Sequence, residues 1–111
     1  MEIVDFKATP KPNQYAERHL LERYRRQLEI YAYLVEQRHG LDVSAMNLYY
    51  TGEESGVPTY RFPYDGTSVD KTIADVDAVV GCMERREFAV QERPAKLCKE
   101  CDLRAFCDRC E

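Results

Sequence analysis

Apolar and polar positions alternate at the start of the chain. In Glu2-Ile3-Val4-Asp5-Phe6-Lys7, Val4 and Phe6 point one way, and Ile3, Asp5 and Lys7 the other. The alternation predicts a strand over residues 2–8. Two prolines in Thr9-Pro10-Lys11-Pro12-Asn13 then predict a loop, because proline removes a backbone donor and disfavours helix. From Ala16 to His39 the period changes to helical: Leu20, Tyr24, Leu28, Tyr31 and Val35 form a stripe, joined by Leu21, Ala32 and Leu34. Gly40 follows as the residue that closes the helix, and Arg38 and His39 suit the negative end of its dipole. From Leu41 to Thr51 the alternation returns, with Met46, Leu48 and Tyr50 opposing Ala45, Asn47 and Tyr49. A turn over Gly52-Glu53-Glu54-Ser55-Gly56 leads into a partner strand from Pro58 to Tyr64 that carries Tyr60 and Phe62, making a hairpin. Asp65-Gly66 ends it, and Thr67 with Asp70 reads as a capping box with the shorter acid. A second helix is predicted from Ser68 to Arg86, with Val69, Ile73, Val76, Val80 and Met83 inward and Cys82 beside them as an inert, partly buried thiol. The tail from Phe88 to Glu111 has too few periodic apolar residues to fold alone; Leu97, Leu103 and Phe106 need something to pack around.

Composition adds bounds to this outline. A chain of 111 residues makes one domain, able to bury roughly two thirds of its unfolded surface. Its 44% hydrophobic and 32% charged residues are ordinary globular values. No stretch approaches the roughly 18 apolar residues of a membrane span, and no basic-then-apolar leader is visible, so a cytoplasmic protein with no membrane partner is expected. The net charge of −4 argues against a wholly basic nucleic-acid surface and leaves room for a local basic patch.

Three features carry chemistry. Asp5 and Lys7 share one face of the opening strand, where an acid and a lysine are costly to desolvate unless paired with each other or bound to a metal. The plainer alternative is an edge strand whose polar face is wet. Gln27 falls inside the apolar stripe of the first helix, one turn before Tyr31 on the same face. It is either an amide at the stripe's margin, bonded to nearby backbone, or half of a polar pair aimed at Asp5 and Lys7. Finally, Cys98, Cys101, Cys107 and Cys110 crowd the tail as C-x2-C-x5-C-x2-C. Their close spacing indicates ligation by soft thiolates and leaves zinc and an iron–sulfur cluster both open.

Taken in order, Ile3-Val4-Asp5-Phe6-Lys7, Gln27-Leu28-Glu29-Ile30-Tyr31 and Cys98-x2-Cys101-Asp102-Leu103-Arg104-x2-Cys107 resemble the carboxyl-terminal part of a RecB-family nuclease of the PD-(D/E)XK superfamily. The nearest kinds are its iron–sulfur members: AddB-like helicase–nuclease subunits, CRISPR-associated RecB-like exonucleases and nuclease domains fused to UvrD/Rep-type helicases. The resemblance implies that Asp5 is a ligand of a catalytic Mg²⁺ or Mn²⁺ and that Lys7 orients the attacking water or stabilises charge on the phosphate. It implies that Gln27 and Tyr31 are the family's QxxxY pair beside the metal and DNA. It also makes Cys98, Cys101 and Cys107 ligands of a [4Fe–4S] cluster, with Zn²⁺ the alternative and Cys110 a possible further ligand. DNA and a helicase domain or subunit are the implied partners.

The departures are as informative. In the family, a helix and two strands precede the acid-x-lysine strand and bring an upstream aspartate, often a histidine, and the first cluster cysteine. The sequence as given begins on that strand, so the expectation is a piece of a nuclease with little activity of its own. The expected fold is α/β (α+β by some schemes), a partial restriction-endonuclease-like core. A small mixed sheet from strands near 2–8, 42–51 and 58–63 packs on the helix at 16–39, followed by the helix at 68–86 and a cysteine-rich knot. In domain terms, residues 1–87 are the nuclease core and 88–111 the metal-binding tail. The expected function is Mg²⁺-dependent, exonucleolytic cleavage of DNA. The rival is a non-catalytic zinc or iron–sulfur module that binds protein or DNA. A second rival is a small domain in which Asp5 and Lys7 merely pair.

Overall fold

A computed structural model describes residues 1–13, 16–88 and 98–106. The elements run β1 (Glu2–Lys7), α1 (Arg18–His39), β2 (Ala45–Tyr50), β3 (Thr59–Pro63) and α2 (Gly66–Glu84), with one turn of 3₁₀ helix at Arg104–Phe106. The sheet is mixed, in the order β1-β2-β3. β1 and β2 are parallel, with Asp5 opposite Leu48 and Lys7 opposite Tyr50; β2 and β3 form an antiparallel hairpin. A parallel neighbour requires a crossover, and α1 supplies it. The chain divides into two compact units, Met1–Asp77 and Ala78–Glu111, and α2 runs across the boundary.

The core lies between α1 and one face of the sheet, where Leu21, Leu28 and Ala32 meet Met46, Leu48, Tyr50 and Phe62. Burying a side chain such as Leu28 completely contributes about 1.5–3 kcal/mol. The side chains of β1 that turn toward this core are Ile3, Asp5 and Lys7. Val4 and Phe6 point away and are 49% and 67% exposed, with Tyr49 tilted against Phe6 at 5.7 Å. β1 is indeed an edge of the sheet, but its wet face is the apolar one and its half-buried face carries the charges. The reason is register: the parallel pairing aligns Ile3, Asp5 and Lys7 with Met46, Leu48 and Tyr50, so α1 covers all six from one side.

The helix ends follow local chemistry. Gly40 closes α1 in the left-handed region at φ 63°, its N–H donating to the Glu36 carbonyl at 2.9 Å. α2 begins two residues earlier than the capping box predicts. Its cap is Asp65, whose Oδ1 accepts from the N–H of Thr67 at 3.0 Å and of Ser68 at 3.4 Å; Thr67 is already helical. The expected inward stripe of α2 is only partly covered. Val69 and Thr72 are buried and Ile73 is half-buried, whereas Val76, Val80 and Met83 are exposed. The helix ends at Glu84 and turns through Arg86, which adopts φ 56°, with the Glu87 N–H donating to the Cys82 carbonyl. Cys82 itself is half-buried.

Candidate active site

Asp5 and Lys7 sit at the carboxyl end of β1, beside the carboxyl end of parallel β2, the location at which open α/β sheets hold ligands. Lys7 Nζ lies 2.9 Å from Asp5 Oδ2 and donates to Gln27 Oε1 at 3.3 Å. The other end of the Gln27 amide donates to Tyr31 Oη at 2.8 Å. The structure therefore brings all four sequence-predicted residues into one connected chain: a carboxylate, an ammonium, an amide and a phenol. Gln27 lies within an apolar stripe because Lys7 reaches it across the sheet face. Tyr31, at the far end, is exposed.

Two further side chains complete the surroundings. Lys7 Nζ lies over the Tyr24 ring, 4.1 Å from its centroid. Tyr50, opposite Lys7 in register, is 1% exposed, and among the described residues its hydroxyl has no hydrogen-bond partner. Burial pushes the Tyr50 phenol up to about 12, with the negative potential of nearby acidic groups such as Asp5 adding to it. Stability contributed by this neutral, buried phenol is fully present below its ordinary value of 10.0 and is lost as pH rises through about 12. Between pH ~8 and ~11 the wild-type chain should lose about 1 kcal/mol more than Tyr50→Phe in urea unfolding. Near neutral pH the same variant should be as stable as wild type or more so, because among the described residues the deleted hydroxyl has no hydrogen-bond partner.

The Asp5 carboxylate is a hard oxygen donor. Although Lys7 is near, the alignment falls short of a hydrogen bond, and among the described residues no donor satisfies the enclosed Oδ2. Such an oxygen suits Mg²⁺ or Mn²⁺ as one anchor of its coordination shell. Among the described residues no three His, Cys, Asp or Glu side chains come together.

A separate polar cluster joins α1 to α2. Glu29 is 1% exposed and accepts from Arg25 Nη1, from Ser68 Oγ at 3.0 Å and from Thr72 Oγ1 at 2.8 Å. Arg25 also pairs with Glu22, holding that carboxyl below its usual range. A cavity of about 260 Å³ opens beside it, lined by Arg25, Asp65, Ser68 and Phe62 among others. The cluster satisfies itself and fixes the start of α2. It is absent from the sequence reading because a glutamate on a helix is usually solvated.

In the tail, Cys98 and Cys101 share one turn, closed by the Cys101 N–H donating to the Cys98 carbonyl at 3.4 Å. Arg104 N–H donates back to Cys101 at 3.1 Å. Both thiols are free. Cys107 and Cys110 lie outside the described residues. Leu103 and Phe106 are exposed.

The family model of the PD-(D/E)XK nuclease superfamily matches residues 1–108. No curated protein and no solved structure matches the chain. Among the described residues no helix is long and apolar enough to cross a membrane.

Proposed function

The chain belongs to the PD-(D/E)XK nuclease superfamily, and from that premise we propose that it is part of a Mg²⁺- or Mn²⁺-dependent DNA exonuclease. The observation that carries this reading is the connected set Asp5–Lys7–Gln27–Tyr31 at the carboxyl ends of parallel strands. Asp5 would hold the cation, which when bound would supply Lewis-acid polarisation of the scissile phosphate and of an attacking water. Lys7 presents its ammonium to the same phosphate, where negative charge builds during in-line attack, and orients the attacking water. Gln27 holds Lys7 from the helix side and is itself oriented by Tyr31. Arg23, exposed on α1, and Lys11, 5.8 Å from the Tyr60 ring centroid on the loop after β1, supply phosphate contacts, so DNA binding weakens as salt rises. Arg26 contributes less, because it pairs with Asp75 at 3.4 Å.

Among the described residues Asp5 is the one carboxylate of this connected set, so the expected cation binding is weak and cleavage by these 111 residues slow. The proposed activity works in the cytoplasm beside a helicase domain or subunit. The test is single-turnover cleavage of end-labelled linear DNA and of covalently closed circular DNA, with and without Mn²⁺. Slow, Mn²⁺-dependent loss of the linear substrate alone, abolished by Asp5→Asn, is the expected result. Cleavage that persists in Asp5→Asn would sink the assignment.

For the tail we propose metal ligation by Cys98, Cys101 and Cys107, with Cys110 as a further ligand: a [4Fe–4S] cluster, with Zn²⁺ as the alternative. The Cys98–Cys101 turn supports it, because a C-x2-C pair in one turn is a common arrangement of two ligands on one metal. Metal binding contributes folding free energy to such a segment, which has exposed Leu103 and Phe106 and little core of its own. Cys98→Ser or Cys101→Ser should release metal from anaerobically prepared protein and lower its Tm, while Cys82→Ser should do neither. Elemental analysis finding neither iron nor zinc in the wild type would end this proposal. A brown, visibly absorbing preparation marks the cluster; a colourless zinc-loaded one marks the alternative.

A further inference from the structure

Among the described residues the Lys7 ammonium has three contacts: an ion pair and a hydrogen bond within the proposed catalytic chain, and one ring face outside it. Asp5 Oδ2 lies at 2.9 Å and Gln27 Oε1 at 3.3 Å; the third contact is the face of Tyr24, 4.1 Å from ammonium to centroid. Tyr24 stands on α1 three residues before Gln27 and seven before Tyr31, so the three side chains lie along one side of the helix. Tyr24 is partly buried and packs against the core cluster, which restricts its side chain. An aromatic face attracts a cation through its quadrupole without taking up a hydrogen bond from it. A carbonyl or carboxylate in that place would tie up one of the three ammonium donors and compete with a phosphate. The ring holds the ammonium without adding an oxygen that would compete with a phosphate for it.

We propose that Tyr24 is a positioning residue of the site: its ring fixes Lys7 Nζ between Asp5 and Gln27, ready for a substrate phosphate. The catalytic consequence rests on the nuclease reading, whereas the placement of Lys7 does not. Core packing alone would demand apolar bulk at position 24, and a leucine would serve nearly as well. Positioning demands an aromatic face, which phenylalanine keeps and leucine loses.

The experiment follows Lys7 directly. NMR of ¹³C-lysine-labelled chain reads the ε-methylene of each lysine, and a side chain held over a ring face is shifted upfield. In the wild type the Lys7 signal should lie upfield of those from exposed Lys71 and Lys99. It should stay there in Tyr24→Phe and join them in Tyr24→Leu. Single-turnover cleavage should fall about tenfold in Tyr24→Leu, in the rate at saturating DNA rather than in the concentration that half-saturates it, and should recover in Tyr24→Phe. A Lys7 signal that coincides with Lys71 in the wild type, or one that does not move in Tyr24→Leu, overturns the proposal. So does equal loss of cleavage in both variants. If Lys7 responds as expected but Lys7→Met cleaves like wild type, Tyr24 still positions Lys7 and it is the nuclease reading that falls.

Discussion

Glu29→Ala should cost about 3 kcal/mol of folding stability, the largest effect of any single polar substitution in the described structure. Glu29 is a buried carboxylate that accepts from three side chains on two helices: Arg25 on α1, and Ser68 and Thr72 on α2. Removing it leaves Thr72 Oγ1 buried without its acceptor, at about 1–3 kcal/mol, and leaves Arg25 without the partner that drew it inward. Arg25 is 25% exposed along its side chain and can turn toward water, which keeps the loss near the low end for a broken buried pair. Glu29→Gln should cost less, because an amide oxygen in the place of Oε1 still accepts from Arg25 and Ser68. Its NH₂ group then faces either a guanidinium or a hydroxyl that can rotate, and the hydroxyl side is the tolerable one. A domain of this size has roughly 5–15 kcal/mol to lose, so Glu29→Ala should move the urea midpoint by a large fraction. A change below about 1 kcal/mol at unchanged m-value would show that the cluster is not what holds α2 to α1.

How much of this was legible in the sequence depends on which physical signal each residue gives. Period alone separates the helices from the strands, and Gly40 marks the end of α1 because only the left-handed region closes the helix there. Period two on β1 separates Ile3, Asp5 and Lys7 from Val4 and Phe6, but hydrophobicity points to the wrong face as the covered one. What decides it is the parallel register with β2, a non-local fact that no window of sequence contains. The same register brings Tyr50 opposite Lys7, which is why Tyr50 reads as core and not as a neighbour of the site. Tyr24 was legible as an apolar stripe residue, and its second role appears only once Lys7 is seen above its ring. Thr67 and Asp70 imitate a capping box, but Asp65 lies closer to the first free N–H groups and captures two of them. For α2, the apolar stripe is real in sequence and largely uncovered in the described residues, so amphipathicity alone overstated its burial.

Lys7→Met should separate cation binding from cleavage, moving them in opposite directions. In the wild type the Lys7 ammonium lies 2.9 Å from Asp5 Oδ2, the oxygen assigned to the cation. A metal cation held by Asp5, as proposed, would compete with this ammonium for one anion, and the repulsion between the two would weaken its affinity as the pairing does. Methionine keeps an unbranched apolar stem, one atom shorter, and removes the charge that lies over the Tyr24 ring. Mn²⁺ should then bind several-fold more tightly to Lys7→Met than to the wild type, and not to Asp5→Asn. Cleavage should nevertheless fall by about 10²–10³-fold, because the charge developing on the phosphate loses its preorganised ammonium. Stability should change by only about 1 kcal/mol, since both partners of the ion pair are partly exposed, at 18% and 26% of their side chains. Calorimetric Mn²⁺ titration and single-turnover cleavage on the same preparations make the comparison. Tighter Mn²⁺ binding with lost cleavage fits an Asp5 that anchors the cation and a Lys7 that serves the phosphate. Unchanged Mn²⁺ affinity in both variants would mean that the two side chains only neutralise each other at the edge of the sheet.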